Sequence, residues 1–218
     1  KGWVVWKAWK RDSGLSALRY IYLISPKKIK KNFYKDLDEV LSQKKVKYFQ
    51  LRLKNLSRKK IIQISKRIKK ITIKHDVKFI LNDKYKLVKD VKADGCHVGQ
   101  KDGPLNEVKK FLNNRIFGIT CHNSLMLARK AIKFQPTYLA FGSFHNSSLK
   151  PKAIRADFKL IPKIKKKIKI PIVAIGGINN SNYKMLLKLG VNLIAISSFI
   201  WDNPKLKPKQ AIKKFIWK

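Results

Sequence analysis

Eight short runs of β-branched and aromatic residues recur along this chain, each followed by a longer segment. That alternation restricts the fold to βα units arranged around a parallel sheet. The runs are Tyr20 to Ile24, Val46 to Leu51, Val77 to Leu81, Gly95 to Val98, Ile116 to Ile119, Tyr138 to Phe141, Ile172 to Ile175 and Leu193 to Ile196. Most of the segments between them carry apolar residues at helical spacing. Ile61, Ile64, Ile68 and Ile71 form one such set, and Met185, Leu186 and Leu189 form another ahead of Gly190, a residue suited to closing a helix. Eight repeats predict an α/β fold, a closed (β/α)8 TIM barrel in a single domain. A doubly wound sheet ordinarily has fewer strands and a glycine-rich turn after the first, where this chain has Ser25-Pro26-Lys27.

A chain of 218 residues, 44% of them hydrophobic, can bury one sizeable core. No apolar run approaches the roughly 20 residues that span a bilayer, and Lys1 to Arg11 mixes Trp and Val with lysines rather than forming a signal-peptide core. The expectation is a soluble, cytoplasmic protein without a transmembrane segment. Residues 1–18 precede the first strand as an extension whose Trp3, Trp6 and Trp9 suit one face of a short helix, and the barrel domain occupies 19–218. Cys96 and Cys121 cannot build a disulfide framework and lack zinc-site spacing, so reduced, buried thiols are expected.

A net charge of +40 raises nucleic acid as a partner, but the lysines recur along nearly every predicted helix, as at Lys59, Lys60, Lys66, Lys69 and Lys70. They read as solvated faces and a compositional bias. With no reading motif and no basic surface interleaved with aromatics, nucleic acid is not the expected partner. The positive field instead helps to attract small anionic substrates. No motif fixes an oligomeric state.

In a barrel of this kind, chemistry belongs at the C-terminal ends of the strands, and the unusual polar residues fall there. Gln50, Arg52 and Lys54 form an alternate-residue row at the end of the second run; an Arg and a Lys aimed into the mouth suit a diphosphate, or else form an internal salt bridge. Asn82-Asp83 ends the third run, and His97, Gln100 and Asp102 follow from the fourth. Two aspartates from neighbouring strands can together hold Mg2+, although an Asp after a strand also serves as a helix N-cap. At Thr120-Cys121-His122 the histidine is a candidate acid or base, or a loop-orienting group, and Cys121 reads as a buried small residue rather than a nucleophile. Gly176-Gly177-Ile178-Asn179 and Ser197-Ser198 follow the seventh and eighth runs. Backbone N–H groups there, freed by the glycines and aimed from a helix start, suit a phosphate.

Taken in order, these segments resemble the thiamine phosphate synthase family, which is close to the thiazole tautomerase type. The resemblance runs from Tyr20 to about Trp201, through Gln50-Leu51-Arg52-Leu53-Lys54, Leu81-Asn82-Asp83, Ala93 to Asp102, Gly118 to His122, and Ala174 to Asn179. It implies a Mg2+-dependent transferase of thiamine biosynthesis that joins a hydroxymethylpyrimidine diphosphate to a thiazole phosphate and releases pyrophosphate. Gln50, Arg52, Lys54 and Asn82 would then hold the pyrimidine diphosphate, Asp83 and Asp102 the Mg2+, and Gly176, Gly177, Ser197 and Ser198 the thiazole phosphate. Thr120 stands where the family usually has Ser. Lys150 would touch the diphosphate and act with Arg52 and Lys54 in catalysis.

The sequence departs from the family in the loop after the sixth run. The family reads Pro-Thr-x-Thr-Lys where this chain has Asn146-Ser147-Ser148-Leu149-Lys150, so Leu149 replaces a hydroxyl among the substrate contacts Ser147, Ser148, Leu149 and Lys150. The alternatives are a tautomerase, for which His122 is suitably placed, or a non-catalytic protein that binds phosphate ligands or nucleic acid.

Overall fold

A computed structural model describes residues 20–145 and 156–216. The Trp3–Trp9 extension and the loop containing Ser147, Ser148, Leu149 and Lys150 lie outside the described residues. Each predicted run forms a strand: β1 Ile21–Ile24, β2 Val46–Leu51, β3 Lys78–Asn82, β4 Gly95–Val98, β5 Ile116–Thr120, β6 Tyr138–Phe141, β7 Ile172–Ile175 and β8 Leu193–Ile196. All neighbours are parallel, and β8 pairs with β1, closing the barrel in sequence order. Two strands run further than their apolar residues suggest. Asn82 stays in register with His97 of β4 and Thr120 with Ala140 of β6, because backbone pairing does not depend on side-chain polarity. Both polar side chains are therefore carried by the sheet rather than by loops.

Each strand is buried on two sides, and successive side chains alternate between two cores. Ile21, Leu23, Phe49 and Leu51 pack outward against the helices, whereas Tyr22, Ile24, Tyr48, Ile80, Tyr138 and Val173 fill the barrel interior. Branched aliphatics usually dominate such interiors. Here Tyr22, Tyr48 and Tyr138 meet at ring-centroid distances of 5.5 to 5.8 Å. Gly118 on β5 makes room for them, since a Cβ at that position would lie 2.1 Å from the Tyr138 ring.

The helices are α1 Phe33–Leu41, α2 Arg58–Lys74, α3 Leu105–Leu112, α4 Leu125–Ala131, α5 Leu160–Lys167, α6 Tyr183–Lys188, α7 Ser198–Trp201 and α8 Pro208–Lys213. In α2 the Ser57 hydroxyl caps the Lys60 N–H at 3.3 Å, and Ile61, Ile64 and Ile68 supply the buried face while Ile71 is only partly covered. In α6 the buried pair is Tyr183 and Leu186, one turn apart; Met185 is 55% exposed, contrary to its expected place on the apolar face. Gly190, with φ +91°, follows the cap residue Leu189 and ends that helix. Between β3 and β4 a 3-10 turn at Tyr85–Leu87 replaces a helix, and Tyr85, Leu87, Val88 and Val91 bury its inner side. No helix among the described residues is long and apolar enough to cross a membrane.

Candidate active site

The C-terminal ends of the strands enclose a cavity of about 270 Å³. Its wall contains Gln50, Arg52, Lys54, Asn82, Asp83, Asp102, Thr120, Gly176, Gly177, Ser197 and Ser198, so every described residue expected in the site meets in one place. His122 stands exposed at the rim. Tyr22 and Ser143, which carry no site signal in the sequence, also line the cavity, as does His97, which stands among the polar residues at the strand ends. A four-residue apolar run does not show which of its side chains face inward, so nothing about Tyr22 marks it as part of a site.

Arg52 and Lys54 form no ion pair with any described residue, which leaves their charges available to an anion rather than engaged in an internal salt bridge. The backbone of Arg52 is fixed from the strand next door: its N–H donates to Ser25 Oγ at 3.0 Å, and the Ser25 N–H donates to the Gln50 carbonyl at 2.9 Å. Ser25 also links the strand on its other side, because its carbonyl accepts from Ser197 Oγ, just after β8, at 3.0 Å. The Ser197 hydroxyl proton is thus committed, and Ser198, at the start of α7, lines the cavity beside it.

Asp83 leaves β3 with φ +62°, its N–H donating to the His97 carbonyl at 2.8 Å. Asn82 Nδ2 donates to its carboxylate at 2.5 Å. Asp83 is not a helix cap: the 3-10 turn that follows begins after Lys84 and has no side-chain cap. Burial and the neighbouring Asp102 carboxylate push Asp83 up to about 6, and Arg52 offsets part of that rise. Asp102 is in turn oriented by the Gly99 N–H, which donates to Oδ2 at 2.6 Å. A Cβ on Gly99 would sit 2.6 Å from that same oxygen.

The phosphate-type loop departs from expectation in one respect. Gly176 and Gly177, at φ +105° and +58°, adopt backbone conformations that a side chain would strain, but α6 begins only at Tyr183, so no helix start follows them directly. The loop is shaped instead by Asn182, whose Oδ1 accepts from the Asn179 N–H at 2.9 Å and whose Nδ2 donates to the Gly177 carbonyl at 3.0 Å. The helix start beside this loop is that of α7, after β8. Cys121 is fully buried outside the cavity wall and its thiol is pushed up to about 12 by burial, which makes it inert at neutral pH.

A cationic row, two adjacent carboxylates and a glycine-shaped loop around one mouth suit a substrate pair carrying a diphosphate and a phosphate. Residues 21–200 match the family model described as thiamine monophosphate synthase. A thiamine-phosphate synthase of Pelagibacter ubique is 52% identical over 197 residues, covering 90% of this chain and 95% of that protein. Another from Erythrobacter litoralis is 34% identical over 90% of this chain and 94% of that one. Among solved structures, a thiamine phosphate pyrophosphorylase from Pyrococcus furiosus superposes with a TM-score of 0.81 at 29% identity, covering 92% of this chain and 95% of that one.

Proposed function

This chain belongs to the thiamine monophosphate synthase family, and on that premise we propose that its barrel mouth joins 4-amino-2-methyl-5-hydroxymethylpyrimidine diphosphate to a thiazole phosphate, releasing pyrophosphate and forming thiamine phosphate. The observation that carries this reading is the meeting of Arg52 and Lys54, which form no ion pair with a described residue, with the adjacent carboxylates Asp83 and Asp102 at one rim. A tautomerase, which handles no diphosphate, would have no use for that combination. The absence of any membrane-spanning helix among the described residues and the buried, unpaired thiols support a cytoplasmic enzyme.

In the reaction the bond between the pyrimidine methylene and the diphosphate oxygen breaks, and the thiazole nitrogen forms the new bond to that carbon. Negative charge grows on the departing pyrophosphate, and Arg52 and Lys54 are positioned to stabilise it in a partly enclosed site where charge interactions are strong. Gln50, buried at 3% exposure, is suited to orient the pyrimidine, and Gly176, Gly177 and Ser198 to fix the thiazole phosphate. No protein nucleophile is required; positioning of the two substrates supplies much of the rate.

The donor set suits Mg2+. No group of three or more His, Cys, Asp or Glu side chains among the described residues could hold a metal, so Asp83 and Asp102 would hold it with the substrate's diphosphate oxygens, the manner in which Mg2+ is commonly bound. When bound, it would neutralise charge on the leaving pyrophosphate. The test is formation of thiamine phosphate from the two purified precursors, with Mg2+ and with a chelator. Product only with Mg2+ is expected; no product from the folded protein would overturn the reading.

A pH dependence follows from the two aspartates. Because the folded value of Asp83 lies near 6, above its ordinary 3.8, its contribution to stability is present at low pH and lost as pH rises through about 6. Above that pH the metal-free site carries two neighbouring negative charges, which a divalent cation relieves. Saturating Mg2+ is therefore expected to raise the melting temperature more at about pH 8 than at about pH 5. Asp83→Asn should remove that difference, whereas equal stabilisation at both pH values in the intact protein would contradict it.

A further inference from the structure

The cavity floor holds a continuous line of hydrogen bonds that crosses the barrel. Gln50 Nε2 donates to the Tyr22 hydroxyl at 2.8 Å, and the Tyr22 and Tyr138 hydroxyls lie 2.7 Å apart. Tyr138 meets His97 Nδ1 at 3.1 Å, and His97 Nε2 meets Thr120 Oγ1 at 2.8 Å. The line visits β2, β1, β6, β4 and β5, linking the residue suited to the pyrimidine with a hydroxyl on the cavity wall. Tyr22 and Tyr138 are 1% and 0% exposed, so bulk water does not compete for their protons. His97 is held further by stacking on the Tyr138 ring, with centroids 5.7 Å apart and planes within 7°.

Proton accounting makes this line directional. Burial pushes both phenols well above their ordinary range, so each remains neutral and has one proton to donate. With the Gln50 amide N–H on the Tyr22 oxygen, the Tyr22 proton points to Tyr138 and the Tyr138 proton to His97 Nδ1. That nitrogen is then an acceptor, and the ring proton resides on Nε2, facing Thr120. The Thr120 oxygen accepts it, and its own proton is left to point into the cavity. A reversed Gln50 amide would reverse every bond and present Thr120 lone pairs to the cavity, unsuited to a site lined by Arg52 and Lys54 for an anion.

We propose that Tyr22 and Tyr138 are positioning residues: through His97 they hold the Thr120 hydroxyl as a hydrogen-bond donor to the anionic group of the bound substrate, and they couple that donor to the amide of Gln50. The anionic substrate, and with it the exclusion of the reversed amide, rests on the functional reading above; the direction itself is set by Gln50 Nε2 facing the Tyr22 hydroxyl. The proposal concerns the tautomer of one buried imidazole, which the hydrogen bond at its other nitrogen selects.

The tautomer can be read directly by long-range 1H–15N NMR on histidine-labelled protein without substrate, in a chain with only four histidines. The intact protein is expected to show His97 protonated at Nε2, and Tyr22→Phe a mixture of the two tautomers. An Nδ1-protonated His97 in the intact protein, or an unchanged tautomer in a folded Tyr22→Phe, overturns the proposal. Kinetics supply the second arm. Tyr22→Phe should lower kcat about tenfold, the scale of one lost hydrogen bond. Combining Tyr22→Phe with Thr120→Ala should cost no more than Thr120→Ala alone, because both remove the same donor. Additive losses would overturn the proposal. If the intact protein forms no thiamine phosphate, the functional reading fails while the NMR result still decides the direction of the line.

Discussion

Asp102→Ala is expected to lower kcat/KM for thiamine phosphate formation by about a thousandfold, the loss that corresponds to several kcal/mol of charge stabilisation. The physical reason lies in the economy of the site. Among the described residues there is no third carboxylate, histidine or thiol to complete a metal site with Asp83, so removing Asp102 leaves a single protein ligand. The change should leave the fold intact, because Asp102 is exposed and the backbone group it binds, the Gly99 N–H, can be satisfied by water instead. It should also relieve Asp83, whose raised value depends in part on the Asp102 charge. Steady-state kinetics across a Mg2+ titration, with a thermal melt to verify folding, provide the check. Near-normal turnover at ordinary Mg2+ concentrations would remove Asp102 from the proposed metal site.

Gly118→Ala is expected to have the largest effect on stability, a loss of about 3 kcal/mol, at the upper end for overpacking a well-filled core. The added methyl would sit 2.1 Å from the Tyr138 ring and 2.2 Å from its hydroxyl oxygen. That ring cannot swing away cheaply, since it is fully buried, contacts Tyr22 and Tyr48, and stacks on His97. For a chain of this length the corresponding fall in melting temperature is roughly 6 to 12 °C. Because the displaced atoms include the hydroxyl that meets His97 Nδ1, activity should fall along with stability. Thermal denaturation followed by circular dichroism tests the first expectation; a melting temperature within about 2 °C of the intact protein's would mean that the barrel interior has room it does not display.

Much of the fold was readable before any coordinates because a parallel barrel repeats one local rule. Each strand is buried on both faces and therefore reads as a short apolar run, and each run here became a strand within a residue or two of its expected limits. The polar residues of the mouth stood out for the complementary reason: Gln50, Arg52, Asn82, Asp83 and Thr120 interrupt or end runs that are otherwise apolar. Their convergence on one cavity follows from closure of the barrel, which brings all strand ends to one rim.

The sequence by itself determined the barrel, the end of it that carries the polar residues, and membership of the thiamine monophosphate synthase family, since each depends on residue order along the chain. Tertiary structure alone decided which way each strand side chain points and what it meets. Tyr22 and Tyr138 look like ordinary strand aromatics in the sequence, yet inside the barrel their hydroxyls meet and connect Gln50 to Thr120. Closure also set Asp83 against Asp102, and only that proximity, together with burial, pushes Asp83 up to about 6. Such effects depend on distances between residues far apart in the chain, and local periodicity carries no record of those distances.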